Sequence, residues 1–279
     1  MRKKSLVLIN GRWIPEGHAC VPISDSAYLY GHGVFETMKV VKGHALFIPE
    51  HFERLRGNAY KLNLKLPLNL SLFEQSIRRL IQKNKCDEAV LRFTLSQTPE
   101  GKPFWVMATK VFVPYPRSCY TRGGRLILIR SVRADSLEKA GVKTTSYLTK
   151  ILGRQEAQQR GAVEGIFLNE EGNVTEGGSS NLFIVKKGIL LTPPLSEGLL
   201  PGTRRKAVIT LARKLKIPFK EKILRPKDLL RADEIFITSS LKDILPIASL
   251  DDKKIGDGGV GEVTKRLVAS YEAGYKFLA

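Results

Sequence analysis

Apolar and polar positions recur along most of the chain with periods that name the element they belong to. The run SLVLIN, a break at Gly11-Arg12 and then Trp13-Ile14 predict strand, turn and strand. Residues 22–33, PISDSAYLYGHG, predict a polar, glycine-marked connection. FETMKVVKGHALFI predicts a hairpin folded about Lys42-Gly43, and its alternation puts Phe35 and Thr37 on one side. Pro49-Glu50 opens a helix with Phe52, Leu55, Ala59 and Leu62 at helical spacing. Ser71 and Glu74 predict a capping box for a second helix, whose apolar stripe is Phe73, Ile77, Leu80 and Ile81. EAVLRFTLS and FWVMATKVFV predict two paired strands.

Pro114 and Pro116 interrupt this pattern and mark an interdomain linker, 114–124, between an N-terminal domain, 1–113, and a larger one, 125–279. Beyond it RLILIRSV predicts a strand. A helix follows Lys143, carries Leu148, Ile151 and Leu152 and stops at Gly161. GIFLN and NLFIV predict strands flanking a Gly/Ser-rich turn that contains Glu176, and KKGILLTPP predicts a further hairpin strand. Pro201-Gly202 introduces a helix with Val208, Leu211, Ala212 and Leu215 on one face; DEIFITSS predicts a strand, and a last helix begins near Gly261.

Composition narrows the class. The 279 residues are 43% apolar and 26% charged, which suits a soluble globular protein with real cores. No apolar run approaches the roughly 18 residues of a membrane span, and polar Asn10 and Gly11 cut the first apolar run too short for a signal peptide. Cys20, Cys86 and Cys119 are scattered and odd in number, which points to a cytoplasmic protein without a disulfide framework. His18, His32, His44 and His51 show no metal-ligand spacing, so no metal is expected. A net charge of +19 raises nucleic-acid binding by a non-catalytic protein as an alternative. The basic residues are nevertheless spread along helix faces beside Glu and Asp, with no run of five, so the reading is a basic surface without a nucleic-acid partner. Gly256, Gly258 and Gly261 spell G-x-G-x-x-G, but fewer than twenty residues follow, too few for a dinucleotide-binding βαβ unit.

The chemistry concentrates between Gly141 and Val185. Lys143 precedes a helix, and Glu176 lies in the Gly/Ser-rich turn about one helix and one hairpin later. A lysine able to form a Schiff base with an aldehyde, and a carboxylate able to hold a pyridine nitrogen protonated, suggest a pyridoxal 5'-phosphate site. The phrases YGHGVFET, EHFERL, GVKTTSYL, GNVTEGGSSNLFIV, LLPGTRR and ADEIFITSSLKDILPI occur in one order over nearly the whole chain. In this the sequence resembles the class IV (fold type IV) pyridoxal phosphate enzymes, which include branched-chain and D-amino acid aminotransferases and aminodeoxychorismate lyases.

The resemblance implies an α+β, two-domain fold: a small N-terminal α/β domain, a larger pseudo-barrel domain, and the cofactor between them. It also implies a homodimer with the active site at the subunit interface. Residue by residue, it makes Lys143 the catalytic Schiff-base lysine, Glu176 the partner of the pyridine nitrogen, and Arg54 the phosphate clamp. It makes Tyr147 a cofactor contact. Gly202, Thr203 and Arg204 become the turn whose N–H groups cradle phosphate, with Arg204 where many members carry threonine, and Ser240 a hydroxyl near the phosphate. Phe35, Thr37, Arg92, Leu241 and Lys242 are the substrate-binding candidates, with Lys242 favoured for the α-carboxylate. The implied activity is transfer of an amino group between a branched-chain or D-amino acid and a 2-oxo acid by a ping-pong mechanism. The alternative is a 4-amino-4-deoxychorismate lyase releasing pyruvate and p-aminobenzoate, which Thr37 favours.

Overall fold

The computed structural model describes residues 5–131 and 141–275. Residues 5–113, with 142–147, form one unit by their contacts. Along the chain it contains β1 (Leu6–Ile9), β2 (Arg12–Pro15), α1 (Ser26–Tyr30), β3 (Val34–Val41), β4 (His44–Ala45), α2 (Ile48–Lys61), α3 (Leu70–Asn84), β5 (Ala89–Gln97) and β6 (Pro103–Val111). The strands form an antiparallel sheet in the order β2-β1-β6-β5-β3-β4. The stripes of α2 and α3 cover one face of it, and the rings of Phe52, Phe73, Phe93 and Trp105 follow one another through the resulting core, tilted, edge to face and stacked in turn.

Two expectations change here. The 22–33 stretch contains α1, because the Asp25 carboxylate accepts the N–H groups of Ala27 and Tyr28 and Gly31 closes the helix in the left-handed conformation. And α3 begins at Leu70, not Ser71: Asn69 is its cap and accepts the Leu72 N–H, so no capping box forms from Ser71 and Glu74.

The remaining described residues form the second unit. It contains α4 (Arg117–Thr121), β7 (Gly124–Leu128), α5 (Leu148–Gln159), β8 (Glu164–Leu168), β9 (Val174–Gly177), β10 (Asn181–Lys186), β11 (Ile189–Thr192), α6 (Thr203–Lys214), β12 (Phe219–Glu221), α7 (Pro226–Leu230), β13 (Glu234–Ser239), β14 (Asp243–Leu250), β15 (Lys253–Lys254) and α8 (Glu262–Tyr275). Residues 114–124, read as a linker, belong to this unit: they carry α4, and Tyr115, Cys119 and Tyr120 pack on its core.

The strand order is β12-β11-β10-β13-β14-β7-β8-β9, with β15 on β14. The sheet is mixed, and its parallel pair β14–β7 matches Ile247 with Gly124 and Leu250 with Leu126. Strands β9 and β10 are five places apart in that order, yet only residues 178–180 join them. Five strand spacings in a flat sheet span about 24 Å, whereas the link reaches about 14 Å at most. The sheet is therefore curled, which brings the Glu176 turn over its inner end.

The fold of α5 departs from its apolar pattern. Leu148, Ile151 and Leu152 are exposed, and the buried face is Lys150, Gly153 and Ala157. Gly153 lies against the Phe167 ring of β8 so closely that a side chain there would overlap it. Gly256 and Gly258 turn the chain at positive φ ahead of α8, Gly261 lies against the Glu234 side chain, and the first N–H groups of the helix, at Val263 and Thr264, are taken by the Glu234 carboxylate. No helix among the described residues is long and apolar enough to cross a membrane.

Candidate active site

Strand β9 ends in Glu176-Gly177, and residues 178–180 turn directly into β10. The Glu176 carboxylate is buried with its two oxygens facing different groups. Its Oε2 accepts hydrogen bonds from the Leu200 N–H at 3.0 Å and the Asn181 side-chain amide at 3.1 Å. Its Oε1 lies 3.3 Å from the ammonium of Lys150, also buried. Asn181 donates to the Leu200 carbonyl as well, tying β10 to the chain entering α6. Gly202 caps α6 with the Asn181 carboxamide oxygen pressed against it, which leaves no space for a side chain. No side chain caps this helix, so its leading N–H groups form an anion-binding end. Asn181 pairs with Thr238 across β10 and β13, and half-buried Ser240 follows at the same end of the sheet. A buried carboxylate for a ring nitrogen, an uncapped helix end for a phosphate and a hydroxyl form a donor and acceptor set that fits pyridoxal phosphate.

A second buried carboxylate shapes the turn. Glu164, at the start of β8, accepts hydrogen bonds on Oε2 from Ser179 Oγ at 2.8 Å, Ser180 Oγ at 3.1 Å and Lys242 Nζ at 2.9 Å. Lys242 also donates to Ser179 Oγ at 2.7 Å and lies over the Tyr115 ring. Burial works to raise the Glu164 carboxyl, but Lys242 and Ser179 bring it below the ordinary carboxylate range. Burial likewise works against the Lys242 ammonium, and Glu164 outweighs that and raises it. This corrects the expected role of Lys242: it is 3% exposed and bound to Glu164, so it is neither a solvent-facing lysine nor an open anchor for a substrate carboxylate. Leu241 beside it is half-buried in the tight β13–β14 turn, where the Lys242 N–H meets Ser239 Oγ.

Arg204 is also turned inward. It is 1% exposed, with its Nε 3.8 Å from the Asp243 carboxylate that accepts a hydrogen bond from Tyr271 of α8. Its side chain braces α6 against β14 and α8; only its backbone belongs to the helix end.

In the first unit, Lys143 is placed by backbone pairing. The Phe35 N–H bonds to the Lys143 carbonyl, the Thr145 N–H bonds to the Gly33 carbonyl, and Val34 bridges Thr144, so 143–145 run beside the start of β3. The Lys143 ammonium lies 4.3 Å from the Phe35 ring centre and 5.6 Å from that of Tyr147, and the two rings meet edge to face. Arg92, opposite Thr37 in the β3–β5 ladder, lays its guanidinium 3.8 Å over Phe35. Phe35, Thr37, Arg92, Lys143 and Tyr147 are thus one cluster.

Arg54 lies elsewhere in this unit, on α2. Its Nε and Nη2 grip both oxygens of Glu36 at 2.8 and 2.6 Å, and His51 Nδ1 meets the same carboxylate at 2.6 Å. Burial would raise the Glu36 carboxyl, but Arg54 and His51 overcome this and hold it down to about 2. The paired face of the Arg54 guanidinium, expected to clamp phosphate, here clamps Glu36.

Sequence reasoning missed Glu36, His51, Lys150, Glu164 and Asn181. A signal for Glu36 and His51 is present: H-x-x-R spaces two basic side chains on one helix face, which calls for an acidic partner. For Glu164 and Lys150 there is none, because their partners are brought together only by the curled sheet.

The family model described as amino-transferase class IV matches residues 33–250. A Methanocaldococcus jannaschii protein provisionally named a branched-chain-amino-acid aminotransferase is 32% identical over 277 residues, 95% of each chain. The D-alanine aminotransferase of Staphylococcus aureus is 28% identical over 95% of this chain and 96% of its own. The crystal structure of the Escherichia coli branched-chain amino acid aminotransferase superimposes with a TM-score of 0.91 at 28% identity, over 98% of this chain and 95% of that one. The T.th. branched-chain amino acid aminotransferase with pyridoxamine 5'-phosphate gives 0.91 at 26% identity, over the same shares. A Legionella pneumophila protein provisionally named 4-amino-4-deoxychorismate lyase gives 0.84 at 26%, over 92% and 96%. The α+β fold and the family match over most of its length establish that the chain belongs to the class IV aminotransferases.

Proposed function

We propose that the chain is a pyridoxal phosphate-dependent transaminase that moves an amino group between a branched-chain or D-amino acid and a 2-oxo acid in two half-reactions, with ping-pong kinetics. The observation that carries this is Glu176: a buried carboxylate held by Asn181 and the Leu200 N–H, directly ahead of an uncapped helix N-terminus. Pyridoxal phosphate, when bound, supplies the electron sink for a Cα carbanion. Glu176 supplies the negative charge for the ring nitrogen. The N–H groups at Gly202, Thr203 and Arg204 and the Ser240 hydroxyl are assigned to the phosphate, and Arg54, whose Nε and Nη2 engage Glu36, is assigned to it through the rest of its guanidinium. Lys143 is the lysine that condenses with the aldehyde and carries the Cα proton, with Tyr147 beside it. Arg92, stacked on Phe35 and facing Thr37, replaces Lys242 as the candidate for the substrate carboxylate.

Borohydride reduction of the holoenzyme, followed by peptide mapping, tests the assignment. The cofactor should be fixed on Lys143; modification at any other lysine refutes it. Amino donors of both hands with 2-oxoglutarate, assayed beside aminodeoxychorismate turnover, test the substrate. Thr37 and the likeness to the Legionella protein support the lyase as the second reading, and pyruvate release would select it.

We also infer a homodimer. Leu148, Ile151 and Leu152 on α5, and Ile23, Tyr28 and Tyr30 around α1, are apolar and exposed, as an interface with a second copy requires. A monomer by light scattering would refute it. Three cysteines that are not bonded to one another support a cytoplasmic location.

A further inference from the structure

Helix α5 buries its lysine and exposes its leucines. Lys150 is 5% exposed, while Leu148, Ile151 and Leu152 of the same helix are 40–66% exposed. A buried ammonium is costly unless something compensates it, so it is the informative residue on this face. The compensation is Glu176 Oε1 at 3.3 Å, with the Phe167 ring 4.4 Å from the ammonium. The close approach of α5 to β8 at Gly153 puts Lys150 at that depth. The other oxygen of Glu176 is held by Asn181 and Leu200. One carboxylate therefore faces fixed N–H donors on one side and a full positive charge on the other.

The aldehyde carbon and the ring nitrogen of pyridoxal phosphate lie at opposite ends of the ring. A lysine in contact with the carboxylate that serves the nitrogen is at the wrong end to condense with the aldehyde. We propose that Lys150 is a positioning residue that acts through Glu176, its ammonium setting how much negative charge Glu176 presents to the ring nitrogen. The inference rests on the reading of Glu176 as the ring-nitrogen partner. A protonated ring nitrogen and Lys150 are two cations sharing one carboxylate, so Lys150 weakens the hold on the protonated ring.

The test compares two ligands on apoenzyme prepared from the full chain: pyridoxal phosphate, and its analogue with a C–H group in place of the ring nitrogen. Dissociation constants are measured for the wild type, Lys150→Met and Lys150→Gln. Without the charge, preference for pyridoxal phosphate over the analogue should rise about tenfold in both variants, the scale of a like-charge pair removed from a partly screened site. A purely structural lysine would weaken both ligands alike and leave the ratio unchanged, and a ratio within about twofold of wild type overturns the proposal. Cofactor fixed on Lys150 by borohydride overturns it as well. If neither the wild type nor the variants discriminate the two ligands, the assignment of Glu176 to the ring nitrogen fails, and this inference fails with it. Discrimination in wild type with an unchanged ratio in the variants removes Lys150 alone.

Discussion

Glu36 and Glu164 are both fully buried carboxylates, each at or near the start of a strand and each charged against cationic partners, yet they are held in different ways. Glu36 takes both its basic partners from one turn of α2, 15 and 18 residues along the chain. Glu164 takes a serine pair 15 and 16 residues away and an ammonium 78 residues away. The Glu36 partners are the His51 ring and the Arg54 guanidinium, both carried by α2. The Glu164 ammonium partner is Lys242, carried by the β13–β14 turn. The first carboxylate fastens a helix to its own neighbouring strand. The second fastens together a strand, the turn carrying Glu176 and the β13–β14 turn.

The contrast implies that breaking the Glu164 site costs more. Lys242→Met strands a buried carboxylate and should remove about 3–5 kcal/mol of stability, read as a lower urea midpoint. The double variant Glu164→Leu/Lys242→Met should recover most of the loss, because the uncompensated charge goes with it. A loss below about 3 kcal/mol in Lys242→Met would overturn the claim that the Glu164 site is the costlier one to break.

Acid acts on the Glu36 site with a defined sign. The folded Glu36 carboxyl titrates at about 2, below its ordinary 4.5. Its contribution is therefore complete above about pH 4.5 and is lost as the pH falls from there through about 2. The drop amounts to about 3 kcal/mol at most, from about 1.36 kcal/mol per unit. Stability measured from about pH 6 to about 2.5 should fall less steeply in Glu36→Gln than in wild type, and parallel slopes would remove Glu36 from the acid response. Glu164 is also lowered and adds to the fall in both proteins, so the difference between them isolates Glu36.

These clusters also show what the chain reveals before it is folded. The antiparallel sheet, the stripes of α2 and α3, the strands around Glu176 and the helix after Pro201-Gly202 all follow from local periodicity, because each buries one face against a neighbour close in sequence. Strand β14 is not legible: DILPIASL carries a proline and lies in the middle of the sheet between β13 and β7, where hydrogen bonding partners override its propensity. The burial of α5 is inverted, since its apolar residues suggest a core face and its contact with Phe167 admits only Gly153 and its neighbours. The partnership of Lys242 with Glu164 joins residues that no pattern relates.

Two smaller effects sharpen the comparison. Gly153→Ala should cost about 1–3 kcal/mol by pushing α5 off Phe167, and should disturb the Lys150–Glu176 pair without touching Glu36. Unchanged stability in that variant would mean that α5 is free to shift. Thr37→Gly, at the edge of the Phe35–Arg92 cluster, should leave amino transfer within about tenfold, roughly 1.4 kcal/mol. A selective loss of pyruvate release in that variant would favour the lyase reading instead.

The parallel pairing of β7 with β14 has a consequence for synthesis on the ribosome. Gly124 meets Ile247, about 120 residues later. At about 5–20 residues per second, β7 waits on the order of ten seconds after emerging before its partner exists. During that time one edge of β7, which carries Leu126 and Leu128, is open to other chains. The strands described in the first unit pair only antiparallel, and their longest wait is shorter, since Leu8 of β1 meets Met107 of β6 about 100 residues later. The nascent chain is thus most exposed to misassembly in its second half, and chaperone binding to stalled chains should be strongest when they end between β8 and β14.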